Sequence, residues 1–290
     1  MHQHSEETSS TRIGWAFVLN LVFTIIEFVG GLLTNSTAIL ADAVHDLGDT
    51  LALGMGWLLN KFSEKEPTAS FSYGYQRLSL VAALMNAVVL IAGSGWILVE
   101  ALPRLFNPVM PQAEGMMLLA VFGVAVNGFA AFKLSKGKTL NERVLNWHLL
   151  EDVLGWIAVL LVSIVLMFVD WPILDPLLSI AFTLFILINV LRSLISTIKL
   201  FIQATPSKQN YQKIVKQLKM IKHVEDAHHI HFWSLDGEQH VLTAHIVVSK
   251  ELSNTERIQL KDSVSQKLAS FDLAHTTIEL EYPDEPCRDH

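Results

Sequence analysis

Cysteine is nearly missing from this chain. Cys287 is the only one in 290 residues, so no disulfide can close within the chain and a cysteine-rich zinc module is excluded. Its setting, Pro286-Cys287-Arg288-Asp289-His290, reads as a solitary thiol in a frayed terminus on the reducing side of a membrane, with metal capture the lesser option. Charge is scarce too. Only 17% of residues are charged, and 28 acidic against 21 basic groups leave a net charge of −7. Without a basic face, nucleic acid is excluded as a partner. No small-residue cleavage site accompanies the first, long apolar run, so no cleavable signal is expected. The string His-Glu-x-x-His, by which metalloproteases hold a catalytic zinc beside a general base, does not occur.

What the chain has is apolar length. Apolar residues make up 51% of it and the mean hydropathy is +0.39, too greasy for an ordinary soluble protein of this size. Windows long enough to cross about 30 Å of hydrocarbon run over Ile13–Leu33, Ala38–Leu59, Leu78–Leu102, Gly115–Phe132, Leu145–Val169 and Ile173–Leu200. Six membrane helices are therefore expected. Lysine and arginine collect on one side of them: Arg12 before the first, Lys61, Lys65 and Arg77 after the second, and Lys133, Lys136, Lys138 and Arg143 after the fourth. The other side has Arg104 alone. The positive-inside rule then puts both termini in the cytoplasm. The division expected is a cytosolic tail over 1–12, a transmembrane domain over 13–202, a cytosolic domain over 203–283 and a tail over 284–290.

In that cytosolic domain, Tyr211, Ile214, Val215, Leu218 and Ile221 recur at helical spacing between lysines. His228–Trp233 and His240–Val248 read as strands joined by a turn at Asp236-Gly237. Ser253 with Glu256 predicts a capping box opening a second helix, which ends near Ala269, and Thr276–Tyr282 is the last strand. The order αββαβ suits a small open sheet with helices on one face, ferredoxin-like or metallochaperone-like. The domain is rich in ligand-type residues: His223, His228, His229, His231, His240, His245, His275, Glu279 and Glu281. Strict strand alternation sets His229 and His231 on one face and His228 on the other, so they are not expected to serve one site.

The membrane segments carry the sharper signal. His45 and Asp49 in the second, and His148 and Asp152 in the fifth, are each four residues apart, which stacks an imidazole and a carboxylate roughly 6 Å apart along one helix face. Two such faces turned together form a four-donor nitrogen and oxygen cage, the set that zinc binds tetrahedrally. Ionisable groups are costly in a bilayer, about 2.5–3.5 kcal/mol near its centre, so each of the four is a functional candidate. Asp42 is expected near the outer end of its helix, Asp46 off the stripe, and Glu151 beside the site without binding. Asn20 and Glu27, seven residues apart, either line a wet path or bond between helices; Asn86 and Asn127 are weaker signals that interhelical hydrogen bonding explains. Asp175 reads as the N-cap of the sixth helix.

These motifs lie together with Glu27–Thr34, Phe71-Ser72-Tyr73-Gly74-Tyr75-Gln76-Arg77-Leu78, Asp175-Pro176, His228-His229-Ile230-His231-Phe232-Trp233 and Leu242-Thr243-Ala244-His245. Over nearly its whole length the chain resembles the cation diffusion facilitators, and among them the bacterial zinc exporters. The resemblance implies a homodimeric proton-coupled antiporter of the inner membrane that exports Zn²⁺, with Cd²⁺ and other divalent metals as further candidates. By it, the transport site is His45, Asp49, His148 and Asp152, and the cytosolic metal ligands are His228, His245 and Glu279, with Glu281 adjacent. Phe71 and Tyr75 stand where some family members have histidines in the loop after the second helix, so that loop site is expected to be absent. Competing readings are an intramembrane zinc hydrolase and a membrane metal sensor. The His2-Gln3-His4 start is at most a weak metal trap.

Overall fold

The computed structural model describes residues 3–63, 67–134, 140–249 and 251–288. His2, Lys65, Lys136, Lys138 and His290, which entered the readings above, lie outside them. Among the described residues are eight helices and three strands: α1 (Gln3–Thr34), α2 (Thr37–Ser63), α3 (Leu78–Phe106), α4 (Ala113–Leu134), α5 (Leu140–Phe168), α6 (Leu174–Phe201), α7 (Lys208–Lys219), β1 (Val224–Ser234), β2 (His240–Val248), α8 (Asn254–Leu268) and β3 (Leu273–Glu281). The chain divides into two compact units, one of 1–62 with 82–194, the other of 63–81 with 195–290.

The first unit is a helical membrane domain. Five of its helices, α1, α3, α4, α5 and α6, are long and apolar enough to cross a bilayer. α2 has the length, but Asp42, His45, Asp46 and Asp49 fall within eight of its residues and break the apolar run. Large apolar side chains face outward instead of being hidden, among them Leu33, Val99, Phe106 and Phe168 at 74–83% exposure, which inverts the pattern of a water-soluble protein. Two buried clusters organise the interior. Phe23, Ile39, Met116, Ala120, Trp156 and Val159 join α1, α2, α4 and α5, while Leu40, Val44, Ala87, Leu90, Ile97 and Ile186 join α2, α3 and α6. α2 thus contributes to both. At Gly123 a Cβ would stand 2.2 Å from the Trp156 ring, so only glycine lets α4 approach α5 this closely.

The α1–α2 junction turns on Asn35, whose φ of 51° lies in the left-handed region; Ser36 N–H donates back to the Gly31 carbonyl at 3.0 Å, closing α1. α2 then starts against a carboxylate from far along the chain. Asp175 accepts from Ser36 Oγ at 2.5 Å, from Thr37 N–H and Thr37 Oγ1 at 2.8 Å each, and from Ala38 N–H at 3.3 Å. Asp175 is therefore the cap of α2 and not of its own helix, of which it is the second residue. Negative charge at a helix N-terminus is favoured by the orphan amides and the dipole.

The second unit is the small α/β domain. Its sheet has the order β1-β2-β3, with β1 antiparallel and β3 parallel to β2. Ile214 and Leu218 of α7 and Leu260, Val264 and Leu268 of α8 pack on Phe232, Leu242, Ala244, Ile246 and Val248 of the sheet. The β1–β2 turn uses Gly237 at φ 110° and Asp236, whose carboxylate accepts from Glu238 and Gln239 N–H. The capping box at Ser253 and Glu256 is present. The 67–81 segment belongs to this unit as well: Arg77 donates to the Leu200 and Phe201 carbonyls at 3.2 and 3.4 Å, and Tyr73 packs edge-on to His275.

Candidate metal centres

In the helical unit, α2 and α5 turn their polar stripes toward each other. His148 Nε2 lies 2.9 Å from Asp49 Oδ2, His45 Nε2 lies 3.7 Å from Asp49 Oδ2 and 3.8 Å from Asp152 Oδ1, and His148 Nε2 lies 3.9 Å from Asp152 Oδ2. The two imidazoles meet edge to face with centroids 5.7 Å apart. Zinc–nitrogen and zinc–oxygen distances near 2.0–2.1 Å give tetrahedral donor–donor edges of about 3.3 Å. The separations in the site bracket that value, so a small divalent cation fits with side-chain adjustments of about half an ångström. His45, Asp49 and His148 each offer a donor atom within 4.8 Å of the others, and all four side chains are partly buried, at 11–32% exposure.

A cavity of about 280 Å³ opens beside these side chains, lined by Asp42, His45, Glu151, Asp152, Phe182 and Phe185 among others. Asp42 and Glu151 thus border the site. Asn20 bonds between helices: it donates to the Asp46 carbonyl at 3.2 Å and to Thr50 Oγ1 at 2.8 Å, and Thr24 and Thr50 hydroxyls lie 3.1 Å apart. These bonds tie α1 to the α2 turns that carry His45 and Asp49. Glu27 and Asp46 are both buried.

The α/β unit gathers a second constellation, by means that strand alternation does not foresee. His228 pairs with His245 and His231 with Thr243, so three steps on β1 oppose two on β2. His229, at φ 48°, sits in this β-bulge. The extra residue returns His228 and His231 to one face, corrects the expected separation of the histidines, and brings the His229 ring to 4.8 Å from that of His245 and its Nε2 to 3.1 Å from His231 Nε2. Other histidines are spent elsewhere: His240 packs on Phe232, His275 on Tyr73.

On that face His245 Nδ1 is 2.6 Å from Glu281 Oε1, and His228 Nε2 is 3.1 Å from Glu281 Oε2. Glu279 stands to the other side of His245, its Oε2 3.8 Å from Nε2 and 2.8 Å from Arg288 Nη2. The group whose donor atoms all lie within 4.8 Å is His228, His245, Glu281 and Cys287. The sequence offers metal capture by this thiol only as the lesser option and names no partners for it, because its neighbours in the chain are not its neighbours on the sheet. At the rim, Asp226 receives the Lys219 ammonium at 2.6 Å, and that hydrogen bond holds its carboxyl below the usual range.

Comparison with known proteins adds to this geometry. The cation efflux transmembrane domain matches residues 15–202, and the cation efflux protein cytoplasmic domain matches residues 206–283. Zinc transporter ZitB of Pectobacterium atrosepticum is 31% identical, over 100% of this chain and 92% of the relative. The cadmium, cobalt and zinc/H(+)-K(+) antiporter of Bacillus subtilis is 28% identical over 97% and 91%. The metal cation efflux system protein CzcD of Cupriavidus metallidurans is 29% identical over 99% and 90%.

Proposed function

Because the chain belongs to the cation efflux family, whose members are multi-pass membrane transporters and not enzymes, we propose that it exports Zn²⁺ from the cytoplasm in exchange for protons. The cargo is held by His45, Asp49, His148 and Asp152. The observation that carries this reading is the convergence of two helix-borne imidazole and carboxylate pairs at 2.9–3.9 Å. Relatives named as zinc transporters support zinc, and one named as an antiporter supports proton exchange. Cd²⁺ and Co²⁺ are further cargo candidates by the same relative's name.

The chemistry couples the two ions. Imidazole must be neutral and carboxylate ionised to bind a metal, so loading releases protons and an acidic outer face drives unloading. His45 and His148 take up protons when the site faces outward and lose them when it faces the cytoplasm. Rocking of α2 and α5 against the remaining helices would alternate access. The protein works as a homodimer in the inner membrane with both termini cytoplasmic, a reading supported by the cytoplasmic-domain match and by the lysine and arginine distribution. The cytosolic His228, His245, Glu279 and Glu281 cluster binds Zn²⁺ as a resident ion.

The test is Zn²⁺ flux into proteoliposomes under an imposed pH gradient. His45→Ala and His148→Ala should each reduce flux to background while the protein elutes and unfolds like the parent. Undiminished flux in either variant overturns the assignment.

A further inference from the structure

Among the described residues, the side chain best placed for chemistry that the transport reading leaves unused is Cys287. We infer that its thiolate is a metal ligand, completing a Cys-His2-Glu site with His228, His245 and Glu281 for a borderline-soft divalent ion such as Zn²⁺ or Cd²⁺. The inference deepens the reading of the cytosolic cluster as a metal site, and it does not depend on transport.

Distances come first. Cys287 Sγ lies 3.4 Å from His245 Nδ1. A tetrahedral ion with bonds of 2.3 Å to sulfur and 2.0–2.1 Å to nitrogen requires a sulfur–nitrogen edge of about 3.5 Å. The 2.6 Å contact of His245 Nδ1 with Glu281 is a hydrogen bond that a metal replaces, the two donors opening by under an ångström.

Orientation of the histidines points the same way. His245 turns Nδ1 toward Glu281 and Cys287 and Nε2 toward Glu279, at 3.8 Å. His228 turns Nε2 toward Glu281, and Nδ1 toward Asp226, at 3.8 Å. Each imidazole therefore has one nitrogen facing the centre and a carboxylate 3.8 Å from the other, from which a closure of under an ångström would make the hydrogen bond that fixes the tautomer and strengthens a metal-bound histidine. One member of the cytosolic cluster thereby changes role: Glu279, outside the four-donor group, orients His245, and Cys287 takes its place as a ligand. Charge also balances, since one thiolate and one carboxylate neutralise a divalent cation.

The thiol is held at the site. Glu285 N–H donates to the Tyr282 carbonyl at 2.9 Å and Tyr282 N–H to the Glu285 carboxylate at 3.2 Å, turning the chain back after β3. Arg288 then pairs with Glu279 at 2.8 Å, which fixes the next residue on the same sheet face. A bound ion would staple this returning segment to β1, β2 and β3.

The chain offers an unusually clean test, because the proposed transport site contains no sulfur and Cys287 is the one cysteine. Co²⁺ added to the full-length protein in detergent should produce a near-ultraviolet thiolate-to-cobalt charge-transfer band that saturates at one equivalent and is absent in Cys287→Ser. Zn²⁺ should slow alkylation of Cys287 by a maleimide at least about tenfold, and His245→Ala should abolish that protection. If Co²⁺ binds in a His245-dependent way without a charge-transfer band or thiol protection, the cluster is a metal site lacking Cys287 and the inference falls while the cytosolic reading stands. If no His245-dependent binding is seen, both fall, and the flux experiment remains the separate test of transport.

Discussion

In the helical unit, four donors hang from two helices and pair with one another: His148 beside Asp49, His45 between Asp49 and Asp152. In the α/β unit the donors come from β1, β2, β3 and the segment after it, and each histidine has a carboxylate behind it that does not touch the centre. One arrangement is made of nitrogen and oxygen alone, with Asp42 and Glu151 at the edge of the adjoining cavity. The other is buttressed and includes a thiol. Outer carboxylates and thiolate raise affinity and slow exchange, which suits an ion that stays. A set whose members compete for the same protons suits an ion that must leave at every turnover. On the proposed reading, the same residue types serve opposite ends according to what stands behind them.

Replacing both Asp49 and Asp152 by Asn is the most severe way to test that contrast. Outer-sphere changes alone typically cost 10–100-fold, so removing two inner carboxylates should lower Zn²⁺ flux by about 100-fold or more. The Co²⁺ charge-transfer band and the Zn²⁺ protection of Cys287 should be unchanged. If the double variant loses the cytosolic signals too, the two centres are not independent and the comparison breaks.

How much of each centre could be read from the chain follows from how local its geometry is. The helical pairs are legible because a helix sets i and i+4 side by side with no reference to the rest of the fold; only the meeting of α2 with α5 needs the structure. The αββαβ order, the turn at Asp236-Gly237 and the Ser253 capping box are equally local. The cytosolic centre is not. It depends on one non-glycine residue, His229, at positive φ, which adds a residue to β1 and reverses the parity of the stretch just before it, Asp226 to His228. Strand alternation has no term for that event. It depends also on a thiol that reaches its partner across 42 residues. Asp175 is illegible for the same reason: its partners are some 138 residues away, and Asp-Pro at the start of a helix looks like that helix's own cap.

Asp175 offers the next, smaller perturbation. Asp175→Ala would strand two backbone amides and two hydroxyls in a buried place. Unsatisfied buried donors cost about 1–3 kcal/mol apiece; with partial relaxation the expected loss is about 2–4 kcal/mol, read as a lower thermal midpoint in detergent. Because this cap fixes where α2 begins, and α2 carries His45 and Asp49, flux should fall with it. Asp175→Asn, which keeps an acceptor but loses the charge, should lie between. The Co²⁺ signals of the α/β unit should not move. An alanine variant with unchanged midpoint and flux would mean that α2 is positioned by packing alone.

The smallest effect is expected at the rim of the buttressed centre. The Lys219–Asp226 pair is short, at 2.6 Å, yet both side chains are nearly half exposed, and exposed ion pairs contribute roughly 0.2–1 kcal/mol or less. Lysine holds the Asp226 carboxyl below its ordinary range. A depressed carboxyl contributes stability that is present above the unfolded value of about 3.9 and is lost as pH falls through the lower folded value; between pH 5 and 8 the pair is pH-independent. Lys219→Gln should therefore change the thermal midpoint of the α/β unit by a degree or two at most, roughly the span of a few tenths of a kcal/mol, and 0.5 M salt should erase the difference because the Debye length falls to about 4 Å. Asp226 would still face His228, so the Co²⁺ spectrum should keep its shape. A large spectral change from this one surface lysine would mean that the cytosolic donors are held less firmly than those in the helices, and the contrast between the two centres would invert.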